Sequence, residues 1–222
     1  MTIPILLSLF CCLLEILFLR QRSAGNHIRA LILKVLASLC FCLVGIWGSI
    51  CRGWGFVISA GLVCGLLGDL LLGLRKLRPH HHDLIFVAGA LAFSLGHVLY
   101  SYALVRLQSG LLLPSLPIFL ILVLLSELFA RKSGFSQGNM HIPGLFYIGV
   151  EGVMCALALS AYGKNPTLGT GLFALGGISF LVSDNLLCAF SFGSLRNSFT
   201  DRLLHATYLM AQLFIAWSIF FL

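Results

Sequence analysis

Two aspartates lie inside apolar stretches of the chain that are long enough to cross a lipid bilayer. Asp69 occurs in GLVCGLLGDLLLGL and Asp184 in GGISFLVSDNLLCAF, although only seven of the 222 residues are acidic. A carboxylate at membrane depth costs at least ~2.5–3.5 kcal/mol on insertion scales. It persists where it is paired, faces water or takes part in chemistry. The two aspartates therefore predict a functional site within the membrane.

Two carboxyl groups at one buried site are suited to acid–base chemistry. If they lie close together, the repulsion between two negative charges keeps one group protonated while the other ionises. One group can then deliver a proton while the other stabilises a cation or activates water, as in the carboxyl pair of a glycosidase. The division of roles between Asp69 and Asp184 stays open, because a coupled pair titrates as a unit.

Further polar residues in the apolar stretches are candidates for substrate binding or for support of the two aspartates: Lys34, His97, Tyr100, Tyr147, Glu151, Tyr208 and Gln212. Lys34 could bind a phosphate group or extend to the membrane interface, and His97 could orient a carboxylate or pack as a hydrogen-bonded core residue. The tyrosines and Gln212 are typical of hydrogen-bonded packing between helices and could also position water. Glu151 fits a structural and a catalytic role equally well, whereas Glu15 is expected to pair with Lys34 or Arg29.

The composition indicates a membrane protein that crosses the bilayer several times. Hydrophobic residues make up 59% of the chain and charged residues 9%, against roughly 25% charged residues in soluble domains. The net charge of +7 is explained by basic loops and requires no nucleic acid. Most of the eight cysteines lie in apolar stretches and no Cys/His spacing typical of zinc occurs, so neither a metal nor another cofactor is expected. The run His80–His82 is interpreted as a solvated loop.

Runs of about 20 apolar residues predict a bundle of eight transmembrane helices in a single all-α membrane domain, 1–222. The short connections between the runs leave no room for a linker between domains. The first run lacks the basic start and cleavage site of a signal peptide, so it is expected to remain in the protein. The predicted spans are 2–20, 28–50, 54–74, 84–106, 111–131, 143–162, 168–192 and 203–222.

Basic residues are distributed unequally between the two sides of the predicted bundle. The odd-numbered loops and their flanks hold eleven lysines and arginines, and the even-numbered loops hold three. The positive-inside rule places the odd loops in the cytoplasm and both termini on the opposite side. Short loops suggest a bacterial inner membrane, although an endoplasmic reticulum protein could look alike. With this orientation most of the polar candidates fall at one depth, which predicts a shared cavity entered from the cytoplasmic leaflet.

The third and seventh predicted spans align without a gap, with Asp69 opposite Asp184. His97 follows Asp69 by 28 residues, and Gln212 follows Asp184 by the same 28. This spacing suggests an internal duplication into 1–107 and 108–222, two parallel four-helix repeats that would bring both aspartates to one interface. Chance similarity between apolar helices explains the alignment about equally well.

The ordered polar residues resemble the YhhN-like lysoplasmalogenase family of small eight-span membrane proteins. The residue after the second aspartate is Asn185 here, and Glu151 is an additional acid outside the family pattern. The resemblance covers most of the chain and is carried by LILK ending at Lys34, GLVCGLLGD at Asp69, FVAGALAFSLGHVLY running through His97 to Tyr100, SFLVSDNLL at Asp184 and TYLMAQ from Thr207 through Tyr208 to Gln212.

The resemblance implies an ether hydrolase that cleaves the vinyl ether bond of lysoplasmalogens, releasing a fatty aldehyde and a glycerophospho-head-group product. It also implies that Asp69 and Asp184 are the catalytic residues, with a lysophospholipid as the substrate and the bilayer as the surroundings. Two other functions fit the composition: a small proton-coupled transporter and a non-catalytic lipid-binding membrane protein.

Overall fold

The computed structural model describes residues 1–75, 77, 82–134 and 141–222, except for the side chains at 82, 83 and 141. Within these ranges the chain forms eight helices and no strand, which confirms the predicted all-α fold. Of the histidine run, His80 and His81 lie outside the described residues. The helices are α1 Thr2–Ser23, α2 His27–Arg52, α3 Phe56–Leu74, α4 His82–Leu107, α5 Leu112–Lys132, α6 His141–Lys164, α7 Leu168–Phe192 and α8 Ser198–Ser218.

Seven of the helices in the described ranges are long and apolar enough to cross a membrane, as a multi-pass membrane protein requires. The helix outside that set is α8, which carries Asp201 in its first turn. It nevertheless packs along α7 and against α2. Its inward face supplies the buried side chains of Tyr208 and Gln212.

The last helix is displaced from its predicted span of 203–222. It begins at Ser198, because the Asn197 side chain accepts a hydrogen bond of 2.8 Å from the backbone N–H of Thr200 and so caps the helix there. It ends at Ser218. The final residues form turns in which their backbone N–H groups donate hydrogen bonds to carbonyls such as that of Ser218. The prediction followed the apolar run alone and missed the polar first turn.

Each helix packs against the next helix in the chain, except that α4 does not pack against α5 in this way. Two contacts between helices distant in sequence close the bundle: α4 packs against α6, and α8 packs against α2. Each half of the chain therefore lays its fourth helix against the second helix of the other half. This arrangement is the one that two parallel repeats would give, although the duplication itself stays a prediction.

Glycines on α3 allow the polar side chains of other helices to approach its backbone. A Cβ atom added at Gly61 would overlap the Tyr100 ring, and one at Gly65 would overlap the Gln212 amide. At Gly68 the added atom would lie 2.6 Å from the Phe93 ring. The glycine spacing along α3 is thus required for close packing, as predicted for small residues in membrane helices.

We expect Gly61→Ala to lower the thermal stability of the purified protein in detergent. The new methyl group must displace the fully buried Tyr100 ring, and overpacking of this kind costs ~1–3 kcal/mol. Gly149→Ala is the matched control, because no atom lies within 4 Å of a Cβ added there. An unfolding midpoint for Gly61→Ala equal to or above that of Gly149→Ala would contradict this view of the α3 packing.

Candidate active site

All of the polar residues singled out from the sequence are buried in the bundle, each less than one-tenth exposed. They form two neighbouring groups. The Asp69 cluster consists of Lys34, Ser38, Asp69, Tyr100, Tyr208 and Gln212, and the Asp184 cluster consists of His97, Tyr147, Glu151 and Asp184.

In the Asp69 cluster, a chain of hydrogen-bond donors ends on one carboxylate oxygen. Asp69 Oδ2 accepts from the Ser38 hydroxyl at 2.5 Å and from the Tyr208 hydroxyl at 2.7 Å. Behind Tyr208, the Gln212 amide donates to the Tyr208 hydroxyl at 2.9 Å, and the Tyr100 hydroxyl donates to the Gln212 carbonyl at 3.2 Å. Helices α2, α4 and α8 thus all direct polar groups towards the aspartate of α3.

Lys34 lies beside this cluster and forms a buried ion pair with Glu15 of α1. Its Nζ atom is 3.2 Å from Glu15 Oε1 and 3.3 Å from Oε2. It also lies 4.5 Å from the centre of the Tyr208 ring, which adds a cation–π contact. Of the two partners expected for Glu15, Lys34 and Arg29, the structure shows Lys34. The ammonium group does not extend to the interface, because its partner holds it inside the bundle.

In the Asp184 cluster, the Tyr147 hydroxyl donates a short hydrogen bond to Asp184 Oδ2. His97 Nε2 lies 3.9 Å from the same oxygen and 3.5 Å from the Tyr147 hydroxyl. Glu151 completes the group, and potential ligand atoms of His97, Glu151 and Asp184 all lie within 4.8 Å of one another. Both Glu151 oxygens are buried and have no hydrogen-bond partner among the described residues.

These three side chains are of types that bind metals. In the described part of the chain, their potential ligand atoms lie close enough together to hold one metal ion. The sequence predicts no metal here. The two Glu151 oxygens are free to bind an ion, whereas Asp184 Oδ2 already accepts from Tyr147. A proton shared between the carboxyl groups would satisfy the same oxygens.

The two clusters contact each other through aromatic rings. The Phe180 ring centre of α7 lies 4.9 Å from that of His97 and 5.7 Å from that of Tyr208, edge-on in both cases. The ring centres of His97 and Tyr100, one from each cluster, lie 6.3 Å apart. The two aspartates thus belong to adjoining clusters, but the two cavities described below do not include both of them, in contrast to the single shared cavity that the sequence suggested.

A cavity of about 390 Å³ reaches the Asp69 cluster from the basic end of the bundle. Lys34 and Asp69 lie among its lining residues, and its apolar wall includes Leu72 and Leu187. Basic and imidazole side chains from the helix ends and odd-numbered loops also line it: Arg22, His27, Arg75, Arg196 and His205. The cavity thus combines one carboxylate with several basic groups, of which Arg22 already forms a two-pronged ion pair with Asp201.

A second cavity, of about 370 Å³, is lined almost entirely by apolar side chains from α3, α4, α6 and α7. Its polar members include the aromatic hydroxyl of Tyr147 and the hydroxyl of Ser94. Leu72 and Leu187 line both cavities, so the two are adjacent. Asp184 belongs to the described lining of neither cavity and lies behind Tyr147.

Sequence reasoning missed three parts of this arrangement. Ser38 was overlooked although it lies one helical turn after Lys34, on the same face of α2. Phe180 was overlooked because one more phenylalanine in an apolar helix carries no signal. The arginines were used only to orient the bundle, although residues such as Arg196 line the polar cavity.

No curated protein and no solved structure matches the chain. The family model of the YhhN family matches residues 9–219, nearly the whole chain. That stretch includes every member of the two clusters and reaches from α1 into α8. The resemblance seen in the ordered polar residues is thereby confirmed, and the chain belongs to the YhhN family.

Proposed function

We propose that this protein is a membrane-embedded hydrolase that cleaves the vinyl ether bond of lysoplasmalogens. The products would be a fatty aldehyde and a glycerophospho-head-group compound. One observation carries the proposal: buried Asp69 lines a polar cavity, and Tyr147, which donates to buried Asp184 of a distant helix, lines an apolar cavity that adjoins it. Membership of the YhhN family supports the same reaction.

The two cavities match the two ends of a lysophospholipid. The basic groups around the polar cavity suit the phosphate of the head group, since guanidinium groups bind phosphate in two-pronged contacts. The apolar cavity suits the alkenyl chain. Because Leu72 and Leu187 line both spaces, the bond between head group and chain would lie at their junction, near Asp69.

Cleavage begins when a proton is added to the alkenyl carbon that lies one bond away from the carbon bearing the ether oxygen. The positive charge then resides on the carbon–oxygen unit, water adds to that carbon, and the resulting hemiacetal releases the glycerol oxygen with a proton. We assign the proton donor to the Asp184 cluster. The Tyr147 hydroxyl, which connects Asp184 with the apolar cavity, gives its proton to the carbon and takes one from the Asp184 carboxyl group in return.

Asp69 takes the complementary role in this proposal. Its two hydroxyl donors and the nearby ammonium of Lys34 offset part of the cost of a buried negative charge on this carboxyl group. A fixed negative charge beside the cavity stabilises the developing cation and accepts a proton from the attacking water.

The substrate class is tested with purified protein in detergent. Aldehyde should be released from a 1-alkenyl lysophospholipid and not from the 1-alkyl analogue, whose saturated ether cannot accept a proton on carbon. In D₂O, mass spectrometry should find one deuterium on the carbon next to the aldehyde carbonyl. Release from neither lipid would reject the proposal, and movement of intact lipid across proteoliposomes would favour a transporter instead. Lipid binding without cleavage or movement would favour a non-catalytic lipid-binding protein.

We expect Arg196→Gln to raise the KM for the lysophospholipid by ~2–5-fold at low ionic strength, with kcat nearly unchanged. Arg196 is exposed at the edge of the polar cavity, where it can attract the phosphate without contact with the reacting carbon. Salt should diminish the difference. Arg106→Gln is the control, because Arg106 lies in the last turn of α4 and does not line the polar cavity. Equal KM values for the two variants would argue against head-group binding in this cavity.

We further infer that the basic end of the bundle faces the cytoplasm, as in a bacterial inner membrane, with both termini on the other side. The polar cavity opens at the helix ends that carry most of the arginines, which supports this orientation. A reporter fused after Leu222 that is active only outside the cytoplasm should then be active. Activity solely from a cytoplasmic reporter would reverse the assignment.

A further inference from the structure

Glu151 is the carboxyl group that the proposed reaction does not use. Its side chain is completely buried on α6, one helical turn after Tyr147. Neither of its oxygens has a hydrogen-bond partner in the part of the chain that the structure describes. Buried polar groups are nearly always paired, so a carboxyl group in this position requires a proton or a cation that ordinary contacts do not supply.

The groups that face Glu151 include no lysine or arginine among the described residues, and the one that can carry a positive charge is the His97 imidazole. Asp184 and Cys188 face it from α7, His97 from α4, and Tyr147 and Cys155 from its own helix. No lysine or arginine of the described residues forms an ion pair with Glu151 or Asp184; the lysine of the neighbouring cluster is paired with Glu15. Two ionised carboxylates at this spacing would repel each other without a compensating cation.

We propose that Glu151 and Asp184 share one proton and form a coupled acid pair, with Glu151 acting as a positioning residue that keeps the proton available on Asp184. The pair resembles two carboxyl groups that cannot both ionise at one site. The Tyr147 hydroxyl occupies one oxygen of Asp184, which leaves the other for the shared proton. The catalytic consequence rests on the proposed hydrolase function, whereas the shared proton itself does not.

The arrangement explains why an acid is placed where it touches no cavity. Neither Glu151 nor Asp184 is among the described residues that line the two cavities, and Tyr147 lies between the pair and the apolar cavity. The pair therefore serves as a proton store. The proton that the pair gives to the substrate is replaced from water after each turnover. The overall hydrolysis therefore consumes one water and no net proton.

Infrared spectroscopy tests the shared proton without reference to activity. The wild-type protein should show the carbonyl stretch of a protonated carboxyl group that persists as the pH is raised. In Glu151→Gln, the remaining carboxyl group of Asp184 should lose its proton about one pH unit lower or more, because its charged neighbour is gone. Asp184→Asn should produce the same shift for Glu151. The control Glu127→Gln, on α5, should leave the band unchanged.

The activity profile provides the second readout. Glu151→Gln should move the fall of kcat/KM at alkaline pH to lower pH by about the same amount, since Asp184 then loses its proton earlier. Glu151→Asp retains a carboxyl group and should restore the wild-type profile. A purely structural role for Glu151 would lower the rate at every pH without this shift.

Two results would overturn the proposal. The band could titrate at the same pH in the wild type and in both single variants, which would mean that the carboxyl groups are uncoupled. Elemental analysis of the purified protein could instead find one divalent metal per chain that is lost in Glu151→Gln, which would mean that a metal neutralises the pair. If the wild type releases no aldehyde but the band shifts as expected, the hydrolase proposal fails and the shared proton stands.

Discussion

Replacing Asp69 or Asp184 by asparagine is expected to lower the rate of aldehyde release by ~10²–10⁴-fold, the range that positioned acids and bases contribute. Asparagine preserves the size of the side chain and can still accept from the Tyr208 hydroxyl or the Tyr147 hydroxyl. It can neither supply the proton that Tyr147 passes to the carbon nor carry the negative charge that stabilises the cation. The loss should therefore fall on kcat, while KM changes little.

The measurement is the rate of aldehyde formation by purified variants, with folding checked by thermal unfolding in the same detergent. Glu127→Gln is the matched control, because this acid pairs with Arg131 on α5, a helix that contributes to neither cluster. Its rate should equal that of the wild type. If the Asp69→Asn protein is folded and keeps the wild-type rate, Asp69 has no part in the chemistry.

Lys34→Met is expected to lower the free energy of unfolding by ~3–5 kcal/mol. The substitution leaves Glu15 almost fully buried without its partner, at 3% exposure. The cost of an uncompensated charge exceeds the gain from a well-formed pair, because desolvation of each ion is expensive whether or not the other is present. The unfolding midpoint of the detergent-solubilised protein checks the prediction.

The double variant Glu15→Leu with Lys34→Met separates the ion pair from other effects. Removal of both charges should restore most of the stability, because apolar replacements of a buried pair are often neutral or stabilising. Its aldehyde release should remain below that of the wild type, since Asp69 loses the nearby positive charge. A double variant as unstable as Lys34→Met alone would show that the lysine stabilises the bundle by a contact other than Glu15.

The helices of the bundle were predictable because each depends on a local property, the length of an apolar run. The predicted span 168–192 agrees with α7, whose start is fixed by the Thr167 and Thr170 side chains in a capping box. The same rule failed for α8. There the first turn is polar, and a capping asparagine rather than hydropathy determines where the helix begins.

The site was predictable where it depended on charge. A buried lysine and a buried glutamate on adjacent helices have few other partners within reach. The Lys34–Glu15 pair could therefore be expected from the free-energy cost of leaving either charge buried and unpaired. The division of Asp69 and Asp184 between two clusters was not predictable. It depends on how side chains pack between the helices, as the Phe180 ring does against His97 and Tyr208, and the packing of one apolar side chain among many leaves no trace in composition or spacing.

The two clusters are related in the way the suggested repeat requires. Tyr208 and Gln212 of α8 serve Asp69, and His97 of α4, which aligns with Gln212, lies beside Asp184. The second helix of each half contributes as well, through Ser38 on one side and Tyr147 on the other. We propose that a duplicated unit diverged into a base site, rich in hydroxyl donors, and an acid site with an additional carboxyl group.

The central claim is that Asp69 and Asp184 act together on one substrate molecule. Its most direct test is aldehyde release from a 1-alkenyl lysophospholipid by the wild type, by the two single asparagine variants and by the double variant. Residues that act as a unit are not additive, so the double variant should be no slower than the slower single variant. Losses that multiply in the double variant, or a single variant that retains the wild-type rate, would contradict the claim.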